Sequence, residues 1–204
     1  MTTFLLVRHA TCDPVGRSLA GRTSGVTLND AGRAEAERLA ERLAGVRVAA
    51  IYTSPLQRAR ETAAAVAART GAPVRPHEPF GEIDFGEWTG RTFAELAPDP
   101  RWQRFNTFRS GTRVPGGELM LEAQARAVAA VHALAAAHAG ETVVVVSHAD
   151  VIKAVVAYFA GIPLDLTHRL EVGPASVSAL ALDEEGARVL GLNDTGAYAP
   201  AAST

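Results

Sequence analysis

The sequence predicts an α/β fold, a three-layer α/β/α sandwich with a mostly parallel central sheet, and three observations predict it. Short continuous apolar runs, Phe4-Leu5-Leu6-Val7 and Val143-Val144-Val145-Val146, have the length and composition of strands buried on both faces. Stretches with a 3.6-residue apolar period lie between such runs, so strands and helices alternate. No internal repeat or linker divides the 204 residues, which are expected to form one domain, 1–204.

Residues 3–8 read as the first strand. Thr27-Leu28-Asn29-Asp30 opens a helix, with Asn29 or Asp30 as cap and Leu39, Leu43 and the alanines as its apolar face. Residues 49–53 form a second strand. Ser54-Pro55 starts a second helix, with Ser54 as N-cap and Pro55 in its first turn, running to about Thr70 before Gly71 stops it. Residues 72–117, rich in Pro and Gly, read as an irregular, lid-like insertion over the sheet. A third helix is expected from about Glu118 to Ala139, a strand over 142–146 and a helix over 151–159, ending before Gly161-Ile162-Pro163. Residues 176–182 and 188–192 are strand-like, and the chain looks frayed after Thr195.

Composition narrows the function. Hydrophobic residues make up 48% of the chain, enough for a sizeable core, and the formal net charge is -2. That balance offers no basic field for nucleic acid or for an anionic membrane. Cys12 is the only cysteine, which excludes an intrachain disulfide and a cysteine-based zinc cluster. No apolar stretch approaches the ~20 residues of a membrane span, and Arg8-His9 interrupts the N-terminal run too early for a signal peptide. A cytoplasmic protein is expected.

Two apolar runs each deliver a histidine at their C-terminal end: His9 after Arg8, and His148 after Ser147. In open α/β sheets, ligands bind beyond the C-terminal ends of the strands. Either histidine alone reads as a hydrogen-bonded loop residue; two at strand ends point to one shared site. Arg58 lies in the first turn of the second helix, just past a third strand end. A helix N-terminus attracts anions, and a cation there is mildly unfavourable unless an anion joins it. Arg60 falls on another helix face and reads as a solvated surface arginine.

Leu6-Val7-Arg8-His9-Ala10-Thr11, Ser54-Pro55-Leu56-Gln57-Arg58-Ala59-Arg60-Glu61-Thr62-Ala63, Glu82 followed by Gly86-Glu87-Trp88-Thr89-Gly90, Pro115-Gly116-Gly117-Glu118 and Val146-Ser147-His148-Ala149 occur in that order. This ordered set, over roughly residues 3–192, resembles the histidine phosphatase superfamily in its cofactor-dependent phosphoglycerate mutase-like branch. The resemblance implies that neutral His9 attacks phosphorus and carries the phosphoryl group. It implies that Arg8, Arg58 and His148 clamp the phosphoryl oxygens, and that Glu82 protonates the leaving oxygen and later activates water. Such roles suit phosphoryl transfer, which needs an in-line nucleophile and positive groups around the equatorial oxygens. Asp84 and Glu87, near Glu82, read as solvated loop carboxylates.

The chain also departs from the family pattern. Cys12 stands where a hydroxyl residue is common, Val15 where an asparagine is frequent, and Leu119 where a serine is frequent. Thr11 and Arg22, the latter in Gly21-Arg22, are further candidates for substrate contact, and a structural loop role explains Arg22 equally well. A helix-start role suffices for Gly116-Gly117-Glu118.

Other readings compete. Cys12 and Arg17 are separated by four residues, one too few for a cysteine phosphatase loop. His9, Asp13, His148 and Asp150 offer N/O ligands, but without a recognised metal spacing and with Arg8 alongside. No metal and no cofactor are therefore expected. A non-catalytic binding domain on the same scaffold is disfavoured by the completeness of the set. A phosphoglycerate mutase-type phosphoryl transferase needs a longer enclosing insertion than residues 89–117 provide, so a metal-independent phosphomonoesterase is expected. Its partner would be a small phosphorylated molecule, and a homodimer is possible. Trp102, Phe105 and Phe108 with Arg101, Arg104, Arg109 and Arg113 either line the substrate entrance or pack on the sheet with their arginines in solvent; the second reading is slightly preferred.

Overall fold

A computed structural model describes residues 1–196. The expected fraying after Thr195 lies almost wholly outside the described residues. The strands are β1 (Thr2–Arg8), β2 (Val48–Thr53), β3 (Val74–Pro76), β4 (Thr142–Ser147), β5 (Val177–Asp183) and β6 (Gly186–Asp194). The α-helices are α1 (Asp30–Leu43), α2 (Gln57–Thr70), α3 (Phe93–Leu96), α4 (Pro100–Thr107), α5 (Met120–Ala137) and α6 (Ala149–Ala160). The sheet order is β3-β2-β4-β1-β5-β6. The β3–β2, β2–β4 and β4–β1 ladders are parallel, whereas β5 runs antiparallel to both β1 and β6.

Burial on two faces explains the unbroken apolar runs. Successive side chains point to opposite sides of a strand. Val143 and Val145 of β4, with Phe4 and Leu6 of β1, pack with α5, α6 and the 72–117 segment. Val144, Val146 and Val7 pack on the other side with Leu39 and Leu43 of α1 and Ala63 and Val66 of α2. The sheet is thus covered on both faces, the expected sandwich. Among the described residues, no helix is long and apolar enough to cross a membrane.

Most boundaries match local chemistry. Asn29 caps α1, its side chain accepting from the Gly32 N–H. Gly71 and Gly161 end α2 and α6 in the left-handed conformation, at φ 71° and 67°. Three expectations need correction. Helix α2 begins at Gln57, with Leu56 rather than Ser54 in the cap position, and Pro55 lies outside it. Helix α5 begins at Met120 rather than Glu118, because the Glu118 backbone is engaged elsewhere: its N–H donates to the Asp84 carbonyl and its carbonyl accepts from the Val114 N–H. Segment 72–117 is also not irregular: it adds β3 to the sheet edge and folds α3 and α4 over one face. Phe85, Trp88, Leu96, Phe105 and Val114 are its buried anchors.

Helix α1 approaches the loop after β1 through Gly32, where a Cβ would overlap the Thr11 carbonyl. Backbone blocks backbone there, so no side-chain movement relieves the clash. Gly32→Ala should therefore lower stability by about 1–3 kcal/mol despite alanine's better helix propensity. Urea unfolding checks this; an unchanged or raised midpoint contradicts it.

Candidate active site

The parallel ladders set three strand ends side by side. Arg8 pairs in register with Ser147 and Thr53 with Val146. The chain continues the pattern past the strands, since the His9 N–H donates to the Ser147 carbonyl and the Ser54 N–H to the Val146 carbonyl, each at 2.9 Å. His9 and His148 therefore face each other with ring centroids 5.2 Å apart.

Two hydrogen bonds fix the state of His9. Its Nδ1 lies 2.8 Å from the Ala10 carbonyl, which can only accept, so this nitrogen carries the proton. Arg58 Nε, which can only donate, reaches His9 Nε2 at 3.3 Å. Nε2 thus carries the lone pair. Burial, followed by the Arg58 charge, pulls the His9 pKa down to about 3, so the ring is neutral near pH 7.

Arg58 is 1% exposed, whereas Arg60 is exposed, as the helix faces predicted. Arg58 Nη2 donates to the Gly21 carbonyl at 2.8 Å and contacts His148 Nδ1 at 3.4 Å. The helix is secured from behind by Thr62, whose Oγ1 donates to the Arg58 carbonyl and accepts from the Ala10 N–H. Arg8 Nη1 donates to the Val172 carbonyl at 2.7 Å. Arg8 Nε and Arg58 Nη1 are buried donors with no protein partner, and burial lowers the pKa of both arginines. Two incompletely satisfied guanidinium groups beside a histidine lone pair form an anion-binding arrangement.

Glu82 reaches the same place from the 72–117 segment. Its Oε2 is 3.6 Å from His148 Nδ1, and its Oε1 accepts from the Ile83 N–H at 3.0 Å. Burial first, then the Asp150 charge, raises its pKa to about 7. His148 is fully buried and its pKa is held well below the ordinary value by burial, then by His9 and Arg58. One wall thus holds a neutral base with its lone pair facing Arg58, and the other a carboxyl able to give or take a proton near neutrality.

Arg8, His9, Arg58 and Glu82 line a cavity of about 280 Å³, with Phe93, Trp102, Asn106 and Arg109 on the side of the 72–117 segment; His148, fully buried, is not part of its lining. Of the other candidates, Thr11 and Arg22 do not line it. The Thr11 N–H and hydroxyl both donate to Glu35. Arg22 donates to the Glu82 carbonyl and pairs with Glu118 on the far side of the loop. Cys12 and Val15 do line the cavity, but burial raises the Cys12 pKa, which disfavours a thiolate. Asp84 accepts from the Gly86 N–H, and Glu87 lies exposed beside Arg101. Among the described residues, no group of three or more His, Cys, Asp and Glu is arranged to hold a metal ion. Asp13 instead accepts from Asn29, and Asp150 pairs with Arg109 at 2.8 Å.

Sequence reasoning missed two contributions. Ser54, read as a helix cap, instead lies with its Oγ 2.8 Å from His148 Nε2 and orients that ring. Arg109 was grouped with solvent-facing arginines. Arg101, Arg104 and Phe108 are indeed exposed, and Trp102 and Phe105 pack near Trp88. Arg109 is only 8% exposed and ties the segment to Asp150 in the first turn of α6. The segment therefore both packs on the core and lines the cavity. A signal was present in Asp150, a carboxylate two positions after His148.

Residues 4–195 match the family described as histidine phosphatase superfamily (branch 1). A solved structure of Bacillus stearothermophilus YhfR is 34% identical, superposes with a TM-score of 0.87, and shares 95% of this chain and 98% of that one. The mycobacterial glucosyl-3-phosphoglycerate phosphatase Rv2419c is 29% identical with a TM-score of 0.84, over 94% of this chain and 98% of that one. Phosphoserine phosphatase 1 of Hydrogenobacter thermophilus is 29% identical over 96% of this chain and 93% of its own length. The chain spans about half the length, 54%, of mycobacterial relatives that it matches at 33% identity.

The depressed His9 pKa has a testable sign. The folded state prefers the neutral ring, so this contribution to stability is intact above the ordinary histidine value of 6.5 and is lost as pH falls towards about 3. Nitrogen-15 NMR of the imidazoles should show His9 as the neutral Nδ1–H tautomer at pH 5. A His9 resonance titrating near its ordinary value contradicts the geometry.

Proposed function

The chain belongs to the histidine phosphatase superfamily, branch 1, and we propose that it hydrolyses phosphomonoesters of small metabolites through a phosphohistidine on His9. The observation that carries this reading is the His9 lone pair, held on Nε2 by Arg58, with buried, unpartnered guanidinium nitrogens on both Arg58 and Arg8. The Nε2 lone pair attacks phosphorus, the bond to the leaving oxygen breaks, and Glu82 gives that oxygen its proton. Arg8, Arg58 and His148 hold the equatorial oxygens while charge redistributes. Glu82, now a carboxylate, removes a proton from water as the water oxygen attacks phosphorus. The P–N bond breaks, inorganic phosphate leaves, and His9 returns to its neutral state. The cationic residues supply the charge stabilisation in this scheme without a resident metal.

The cavity wall also bears on the leaving group. Arg109, the arginine that the 72–117 segment contributes to the lining, is already paired with Asp150. Phe85, Phe93 and Trp102 offer apolar surface, and Asn106 a polar contact. This favours a phosphomonoester whose organic part is neutral over one with a second strong anion. Hydrolysis is favoured over phosphoglycerate mutase-type transfer because residues 89–117 leave little chain for enclosing a bisphosphate.

Acid-quenched reaction with a labelled phosphomonoester should trap an acid-labile, base-stable phosphoryl group on His9, with and without exhaustive chelation. Label on Cys12, or full turnover by His9→Ala, sinks the mechanism.

Glu82 should matter in proportion to the leaving group's need for a proton. With an alkyl phosphate, kcat/KM should fall as pH rises through about 7, because the free enzyme then loses the proton that Glu82 must donate. Glu82→Gln should abolish that limb and slow phosphorylation of His9 far more for an alkyl phosphate than for p-nitrophenyl phosphate. Equal slowing of both in single-turnover measurements rules out Glu82 as the acid.

A further inference from the structure

Glu82 is the one residue shared by two cavities. The first holds His9; the second, of about 400 Å³, is lined on the other side of the loop by Arg22, Leu56, Pro79, Glu118 and Arg126. Arg126 belongs to α5, 44 residues from Glu82, and the proposed chemistry makes no use of it. Its guanidinium is nonetheless saturated. Nη1 donates to the Pro79 and Gly81 carbonyls at 2.6 and 2.8 Å, and Nη2 to the Glu82 carbonyl at 3.2 Å. Nε and Nη2 donate to the two carboxylate oxygens of Glu118 at 3.0 and 3.1 Å. Glu118 in turn accepts from the Asp84 N–H at 2.9 Å and pairs with Arg22 at 3.0 Å. Arg22 Nε returns to the Glu82 carbonyl at 2.9 Å.

The loop that carries Glu82 is therefore gripped by the backbone oxygens of Pro79, Gly81 and Glu82 and, beyond them, by the Asp84 N–H. Three carbonyls converge on one planar cation, and no neutral or single-headed side chain can fill the same positions. Glu118 fixes the plane of the cation through a two-pronged pair, and Asp84 anchors the loop one residue beyond Ile83. Burial alone would raise the Glu118 pKa, but its bonds to Arg126 and the Asp84 N–H, with the Arg22 charge, hold it below the ordinary carboxylate value. The grip leaves the Glu82 side chain free to face His148.

We propose that Arg126, oriented by Glu118, is a positioning residue for the reaction: it fixes the Pro79–Glu82 backbone so that the Glu82 carboxyl meets the leaving oxygen. The proposal rests on the reading of Glu82 as the proton donor. A displacement of about 1 Å at a reacting group can cost up to about 100-fold in rate. The cost should fall where the proton matters and spare a leaving group that does not need it.

The test compares wild type, Arg126→Gln, Arg126→Lys, Glu82→Gln and the Glu82→Gln/Arg126→Gln pair, with an alkyl phosphate and p-nitrophenyl phosphate across pH. Arg126→Gln should lower kcat/KM about 10- to 100-fold more for the alkyl phosphate than for p-nitrophenyl phosphate. It should also weaken the fall in rate through about pH 7, the Glu82 value. In the double variant the added leaving-group discrimination should vanish, because both changes act through one proton transfer. Arg126→Lys keeps the charge but not the planar group; it should show the same selective loss and serves as the deciding variant if Arg126→Gln does not fold. If Glu82→Gln discriminates between the substrates and the Arg126 variants slow both equally or neither, the positioning role is overturned and the acid assignment stands. If Glu82→Gln does not discriminate, the acid assignment falls and the positioning role falls with it.

Discussion

A guanidinium taken out of water organises this molecule. Arg58 is buried, makes no ion pair among the described residues, donates to a backbone carbonyl and to His9 Nε2, and contacts His148 Nδ1. Removing a charge from water is costly unless other polar groups replace the solvent. Here the replacement is assembled from three regions: His9 after β1, Gly21 in the following loop and His148 after β4. Thr62 ties the helix carrying Arg58 to the backbone just beyond His9. The site is thus built around a positive charge that the protein only partly satisfies, a condition matched to an anionic ligand.

The same desolvation separates the two groups that handle protons in the proposed reaction. Burial disfavours charge, so it lowers the pKa of a histidine and raises that of a carboxyl. His9 moves to about 3 and Glu82 to about 7. Neighbouring charges modulate the result: Arg58 pushes His9 further down, while Asp150 pushes Glu82 further up. One dry pocket therefore holds a neutral nucleophile and a protonatable carboxyl in the same pH range. The folded state loses the stabilising effect of the Glu82 proton as pH rises through about 7, which links its proposed function to a local stability cost.

The 72–117 segment is held at two points beyond its aromatic anchors. Arg109 fastens it to Asp150 at the start of α6, and Arg126 of α5 grips the loop that carries Glu82. Both clamps join the segment to helices on the same face of the sheet. The aromatic cluster of Trp88, Trp102 and Phe105 supplies apolar burial, and the arginines set the direction of individual backbone and side-chain groups.

Much was legible because it is local or periodic. Unbroken valine runs marked strands buried on two faces, Gly71 and Gly161 marked helix ends, and the helix period separated buried Arg58 from exposed Arg60. Placing His9 and His148 at one site needed only the rule that parallel strands present their C-terminal ends together. What the tertiary structure alone decided was partner choice over long separations. Ser54 faces His148 instead of capping α2, Glu118 holds Arg126 instead of starting α5, and Arg22 turns to the far side of the Glu82 loop. Arg109 turns inward towards Asp150. Each of these polar side chains has an acceptable local role, so its own neighbourhood in the sequence favours that role. The choice falls to loop paths and burial, because a polar group withdrawn from water must take whichever partner the packed chain brings within reach.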